Sequence, residues 1–116
     1  MAAKDYSQLE NTFLALPPLE REAIITHGAA IRTSSLKQRL FLAESKVRSF
    51  QEKYLTTLDA LNKSGLPDQA GAEMHEDYLM WLHWAEVADK CTRDLTVLEN
   101  ITSRGVLGGE SSYVGS

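Results

Sequence analysis

From Ser35 onward the apolar positions fall four and three residues apart, at Leu36, Leu40, Ala43, Val47, Phe50, Tyr54, Thr57 and Leu61. That spacing holds one stripe of a helix toward a neighbour, as in a heptad seam. Lys37, Arg39, Glu44, Lys46, Gln51 and Lys53 mostly flank the stripe. Phe41, Leu42, Leu55 and Leu58 widen it, and so broad an apolar face calls for more than one neighbour. A second seam follows from Ala72 at Met74, Tyr78, Trp81, Ala85, Ala88, Leu95, Leu98 and Ile101, with Leu79, Leu82 and Cys91 beside it. Two arms of nearly equal length, 35–64 and 72–103, predict an antiparallel helical hairpin.

Local signals set the expected boundaries. Ser35 followed by Gln38 has the form of a capping box, which satisfies the first exposed N–H groups of a helix. At the other end Gly65 suits a left-handed position, Leu61 and Leu66 suit the apolar contact of a Schellman motif, and Pro67 prevents continuation. Asp68 offers a cap for the second arm. Upstream, Leu9, Phe13, Leu14 and Leu16 predict a short helix over 7–16, ended by Pro17-Pro18. Pro18 can open another over 18–32, with Glu20 and Glu22 at its positive end and Leu19, Ala23, Ile24, Ala30 and Ile31 as its buried face. Gly28 is its soft place. Gly105 is read as the end of the second arm, and the glycine- and serine-rich stretch 105–116 as a disordered tail. The expected architecture is all-α, one domain over 1–104.

Composition narrows the function classes. A 116-residue chain with 43% hydrophobic residues is long enough for one core and not for two. No apolar run reaches the roughly 20 residues that span a bilayer, and MAAKDYSQLE lacks the apolar centre of a signal peptide, so a cytoplasmic protein is expected. Cys91 is the only cysteine, which excludes an internal disulfide and points to a small packed hydrophobe. The net charge of −4 is unevenly placed. Residues 36–65 carry six basic and three acidic side chains, whereas residues 66–90 carry six acidic ones and Lys90 alone as a base. Such arms can attract each other within a hairpin, or the acidic arm can steer toward a basic partner.

No catalytic arrangement emerges. His83, Glu86 and Asp89 step by threes and drift around a helix, and no second helix offers matching ligands, so no metal is expected. Serines and threonines lie at caps and in the tail without a base to activate them. Glycines stand singly at breaks rather than in a phosphate-cradling loop, so no cofactor is expected. The basic residues of the first arm spread around its helix in an acidic chain, which argues against nucleic acid. The distinctive cluster is aromatic: Tyr78, Trp81 and Trp84, three apart on adjoining parts of one face. It either closes the end of the hairpin core or forms a binding anchor rimmed by Glu76, Asp77 and Glu86.

The order SLKQRLFLAESKVRSFQEKY, then SGLP, then MHEDYLMW resembles small helical antitoxin-like proteins of bacterial and archaeal toxin–antitoxin pairs. The likeness covers Leu36 to Trp84, somewhat under half of the chain. It matches Phe50, Lys53 and Tyr54 to the family's first element, and His75, Glu76, Asp77, Tyr78 and Trp81 to its second. Leu55 stands where the family often has glycine, which leaves open whether the helix breaks over Tyr54–Thr57, with Thr56 or Thr57 available to cap a restart. Met80 stands where an acidic residue is common. The resemblance implies a non-catalytic protein that binds and neutralises a small ribonuclease-type or TumE-like toxin. Glu76, Asp77, Tyr78, Trp81 and Trp84 would form the partner-binding set, with the two carboxylates meeting basic groups of the toxin. The alternative is a self-associating, coiled-coil-like scaffold or adaptor, for which the partner is a second copy.

Overall fold

The computed structural model describes residues 6–114, with side chains through residue 103. The described residues form four helices and no strand: α1 (Tyr6–Leu14), α2 (Pro18–Tyr54), α3 (Leu58–Ser64) and α4 (Ala72–Val114). The expected all-α class and the pairing of two long helices both hold. The chain divides into two compact units, Ser34–Thr96 and a second one made of the chain up to Thr33 and from Val97 onward.

Within Ser34–Thr96 the two seams face each other. Phe50 stacks on Trp81, and Tyr54 bonds to Asp77, so a later residue of α2 meets an earlier residue of α4 and the pair is antiparallel. Leu36 and Ala43 of α2 are buried, as are Trp81, Cys91 and Leu95 of α4 and Leu61 of α3. Leu40, Val47, Phe50 and Tyr54 are half-buried between them, so the four-three spacing lies on the inner face. Cys91 is 3% exposed and packs as the small hydrophobe its sequence context indicates. Phe41 and Leu42, in contrast, are 70% and 46% exposed.

Three boundaries differ from the sequence reading. Thr33, Ser34 and Ser35 do not restart a helix; α2 runs unbroken through them and through Gly28. A break there would leave up to four N–H and four C=O groups without helical partners, whereas these residues cost only fractions of a kcal/mol each, up to about 1 for glycine. The break comes at Leu55, whose φ of 53° lies in the left-handed region. Thr57 then caps α3, its hydroxyl accepting from the Ala60 N–H at 3.2 Å. Finally, the backbone of α4 stays helical through Gly105 to Val114. Glycine lowers helix propensity but neither removes a donor nor clashes as proline does. The side chains of the expected tail, 105–116, lie outside the described residues.

The turn between α3 and α4 follows its glycine. Gly65 adopts φ 76° and ψ 167°, a region essentially reserved for glycine, and its N–H returns to the Leu61 carbonyl at 2.7 Å. Asp68 does not cap α4. The His75 N–H bonds to the Gly71 carbonyl, so Gly71 occupies the capping position.

In the other unit Pro17 ends the first turn region and Pro18 opens α2, as its fixed φ favours. The Arg21 guanidinium donates to the carbonyls of Leu14 and Leu16, which α1 leaves unpaired at its end. The buried face expected over 18–32 is not formed by the residues proposed for it. Leu19, Ile24 and Ile31 are 79%, 49% and 59% exposed, and Ala29 is the buried position. Ala29 lies on the extension of the Leu36–Ala43 stripe, seven residues before Leu36. The larger residues fall off that stripe.

The strained joint yields a direct test. Leu55 is 89% exposed, so removing its side chain forfeits little packing. A non-glycine residue in the left-handed region costs about 1–2 kcal/mol, against about 0.5–1 kcal/mol of extra chain entropy for glycine. Leu55→Gly should therefore stabilise the fold by about 0.5–1 kcal/mol, raising the melting temperature by a few degrees in thermal denaturation. An unchanged or lower midpoint would contradict the strain.

Candidate partner-binding surface

The aromatic and charged residues singled out in the sequence meet at the end of the hairpin formed by α2, α3 and α4. Trp81 projects from the inner face of α4 and is fully buried. Phe50 stacks on it with ring centroids 5.8 Å apart, and Tyr54 does so at 6.2 Å. The four-residue step from Phe50 to Tyr54 is one helical turn, which sets both rings against the same indole. The indole Nε1 is buried without an acceptor. Trp81 serves here through its apolar area, at the cost of an unsatisfied donor.

Polar contacts lock the same level. Lys53 Nζ donates to Asp77 Oδ2 at 2.7 Å and also to Glu73, while the Tyr54 hydroxyl donates to Asp77 Oδ2 at 2.6 Å. Among the described residues Lys53 is the cation that joins the basic arm to the acidic one; Lys90–Asp94 and Arg93–Asp89 pair within α4. Hydrogen bonds from Lys53 and then Tyr54 hold the Asp77 carboxyl below the usual carboxylate range. The same bond to Asp77, joined by Glu73, raises Lys53, and Asp77 raises the Tyr54 phenol. At the residue following Asp77, the Tyr78 hydroxyl donates to Asn62 Oδ1 of α3 at 2.6 Å.

The five residues expected to bind a partner therefore divide. Trp81 lies in the core, and its burial answers the choice between core and anchor for this residue: in this conformation no partner can reach its ring. Asp77 is 20% exposed at its side chain and is held by Lys53 and Tyr54. Tyr78 is half-buried and tied to α3. Glu76 is exposed, and Trp84 is half-buried with its ring edge-on to His83 at 5.1 Å. Beside them stand two residues the sequence reading did not select, Leu79 and Met80, 64% and 46% exposed. Their signal was present: both fall off the Met74–Tyr78–Trp81–Ala85 seam. Glu76, Leu79, Met80, His83 and Val87 recur at three- and four-residue steps along the outward side of α4.

Two depressions mark this unit. One, about 280 Å³, lies on α4 among His83, Glu86, Val87, Asp89, Lys90 and Arg93. Asp89 is paired with Arg93 there, and among the described residues no group of three His, Cys, Asp or Glu side chains could hold a metal ion. The other is an open groove of about 560 Å³ between the long helices. Glu44, Val47, Arg48 and Gln51 form its α2 wall, and Ala85, Ala88, Asp89 and Thr92 its α4 wall. No described helix is long and apolar enough to cross a membrane.

Compared with family models, with curated proteins and with solved structures, the chain has no match. The reading of its surface rests on its own geometry.

Two measurements test the roles of Trp81 and Asp77. Trp81→Ala should cost about 3–5 kcal/mol in denaturant unfolding, as large-to-small changes of buried aromatics do, whereas Trp81→Phe should cost far less. A Trp81→Ala variant as stable as the parent would place the ring outside the core. For Asp77 the folded-state pKa is lowered, so its contribution is present above its unfolded value of about 4 and lost as pH falls through the lowered one. Asp77→Asn should be less stable than the parent at pH 7. The difference should shrink on acidification below about pH 4, read from urea midpoints at each pH.

Proposed function

We propose that this chain is a non-catalytic binding protein, an antitoxin that neutralises a cognate toxin by covering it. The observation that carries the reading is the outward side of α4, where Leu79 and Met80 are 64% and 46% exposed next to the carboxylate of Glu76. Exposed apolar side chains rimmed by acid suit a partner surface that is basic at its edge and apolar at its centre. Trp84, half-buried one turn beyond Met80, extends the same patch. The residues matched by the antitoxin resemblance support it differently. Of these, Phe50, Lys53, Tyr54, Asp77 and Trp81 hold the hairpin in shape, and Glu76 acts at the surface, where the unmatched Trp84, Leu79 and Met80 join it.

A rigid hairpin can present such a patch without ordering a loop on binding, which reduces the entropic cost of association. Nothing in the proposed action needs a metal, a cofactor or a nucleophile. The toxin's active surface would be blocked by occupancy, and the acidic rim would favour a toxin that handles an anionic substrate such as RNA.

The test is co-expression with the product of the adjacent small gene. The neighbour alone should arrest growth, the pair should grow, and the two proteins should elute together. Leu79→Asp combined with Met80→Asp should weaken the complex at least about tenfold, equivalent to 1.4 kcal/mol, with circular dichroism unchanged. A harmless neighbour that does not bind would remove the antitoxin reading.

A further inference from the structure

We propose that the open groove between α2 and α4 seats α2 of a second copy of this chain, making a twofold symmetric dimer. The groove carries both an apolar floor and a specific charge pattern. Val47, Ala85 and Ala88 form the floor, and the small alanines allow a helix to approach closely. Counting outward from Phe50 over Trp81 in antiparallel register, Glu44 and Asp89 stand within about half a turn of each other on opposite walls. Asp89 is already paired with Arg93 within α4, so the carboxylate left open at this level of the groove is that of Glu44. Arg48 lies one turn along α2, and among the described residues neither Glu44 nor Arg48 is in an ion pair.

A twofold axis passing midway between Glu44 and Arg48 resolves this pattern. In an isologous contact, if one residue meets a second, the second meets the first across the axis. Two α2 helices laid antiparallel about that point bring Arg48 of each copy to Glu44 of the other, with Asp89 beside it. The same register sets Phe41 of each copy level with Gln51 of the other, over the near end of the groove. Phe41 is 70% exposed and lies one turn before Glu44 on the same side of α2. The dimer thus gives an occupant to the apolar groove, an environment to the exposed Phe41 and partners to both charges. A heterologous basic helix would satisfy Glu44 but would leave Arg48 facing a cation.

This surface lies apart from the Glu76–Leu79–Met80 patch, and its test uses the full chain with no toxin present. Failure here leaves the antitoxin reading standing, and the reverse also holds. Sedimentation equilibrium of the parent should give twice the 12.9 kDa of one chain. Glu44→Arg and Arg48→Glu each place like charges together twice per dimer, and should each weaken association at least about thirtyfold. The double variant Glu44→Arg/Arg48→Glu restores opposite pairs and should recover at least about tenfold of the loss, short of full strength because Asp89 then faces the new glutamate. Phe41→Asp should yield monomer with unchanged helicity. A parent that stays monomeric up to about 100 µM, well above the range of a micromolar complex, would overturn the proposal. So would a dimer indifferent to both single swaps, or one that the double variant fails to restore.

Discussion

The Ser34–Thr96 unit depends on one indole. Trp81 is enclosed by α2 through Phe50 and Tyr54, and each of those rings sits on the stripe that continues through Val47, Ala43 and Leu36. Removing water from a ring of this size is the largest single apolar contribution available to so small a core. The polar contacts around it are arranged to serve that burial. Lys53, Tyr54 and Asp77 clamp the two helices one turn from the indole, and Tyr78 with Asn62 fastens α3 to α4. Exposed ion pairs contribute little by themselves. Placed beside a buried ring they define register, because a slip along either helix would separate Lys53 from both carboxylates.

This division of labour changes how a motif is to be understood. The elements around Phe50–Tyr54 and His75–Trp81 lie about 20 residues or more apart in the chain and are adjacent in the fold. Residues of one element are the contact partners of the other: Phe50 with Trp81, Lys53 with Asp77, Tyr54 with both. In this chain the pattern serves the scaffold. The binding chemistry proposed for α4 resides in the positions between the motif residues, Leu79 and Met80, where side chains face outward and can vary without loosening the hairpin.

The fold was legible where geometry follows from periodicity. Leu36, Ala43, Trp81 and Leu95 lie on the four-three seams and are buried. Gly65 ends α3 because its φ requires glycine, and that signal is local. Other features depended on quantities a linear pattern does not carry. Ser35 and Gln38 have the composition of a cap, yet continuing the helix retains more hydrogen bonds than capping recovers. The joint at Leu55 forms although leucine disfavours it, since Thr57 caps α3 and lets Leu58 and Leu61 pack. For the candidate surface, spacing by threes identified an aromatic cluster but could not tell which members turn inward. Trp81 and Trp84 are one turn apart, and a rotation of tens of degrees separates a buried ring from one at the edge.

The position of the clamp also bears on how the chain finds this arrangement. Tyr54 and Asp77 are separated by 23 residues and Tyr78 and Asn62 by only 16, so the contacts nearest the bend close the shortest loops. Each doubling of loop length costs only about 0.6 kcal/mol more, but a first contact has no others to offset it, and the bend is the least expensive place to begin. Once Lys53 and Asp77 have met, each further turn toward Leu36 and Leu95 is joined by helices already held side by side. The hairpin is built like a zipper whose slider rests at the Trp81 end.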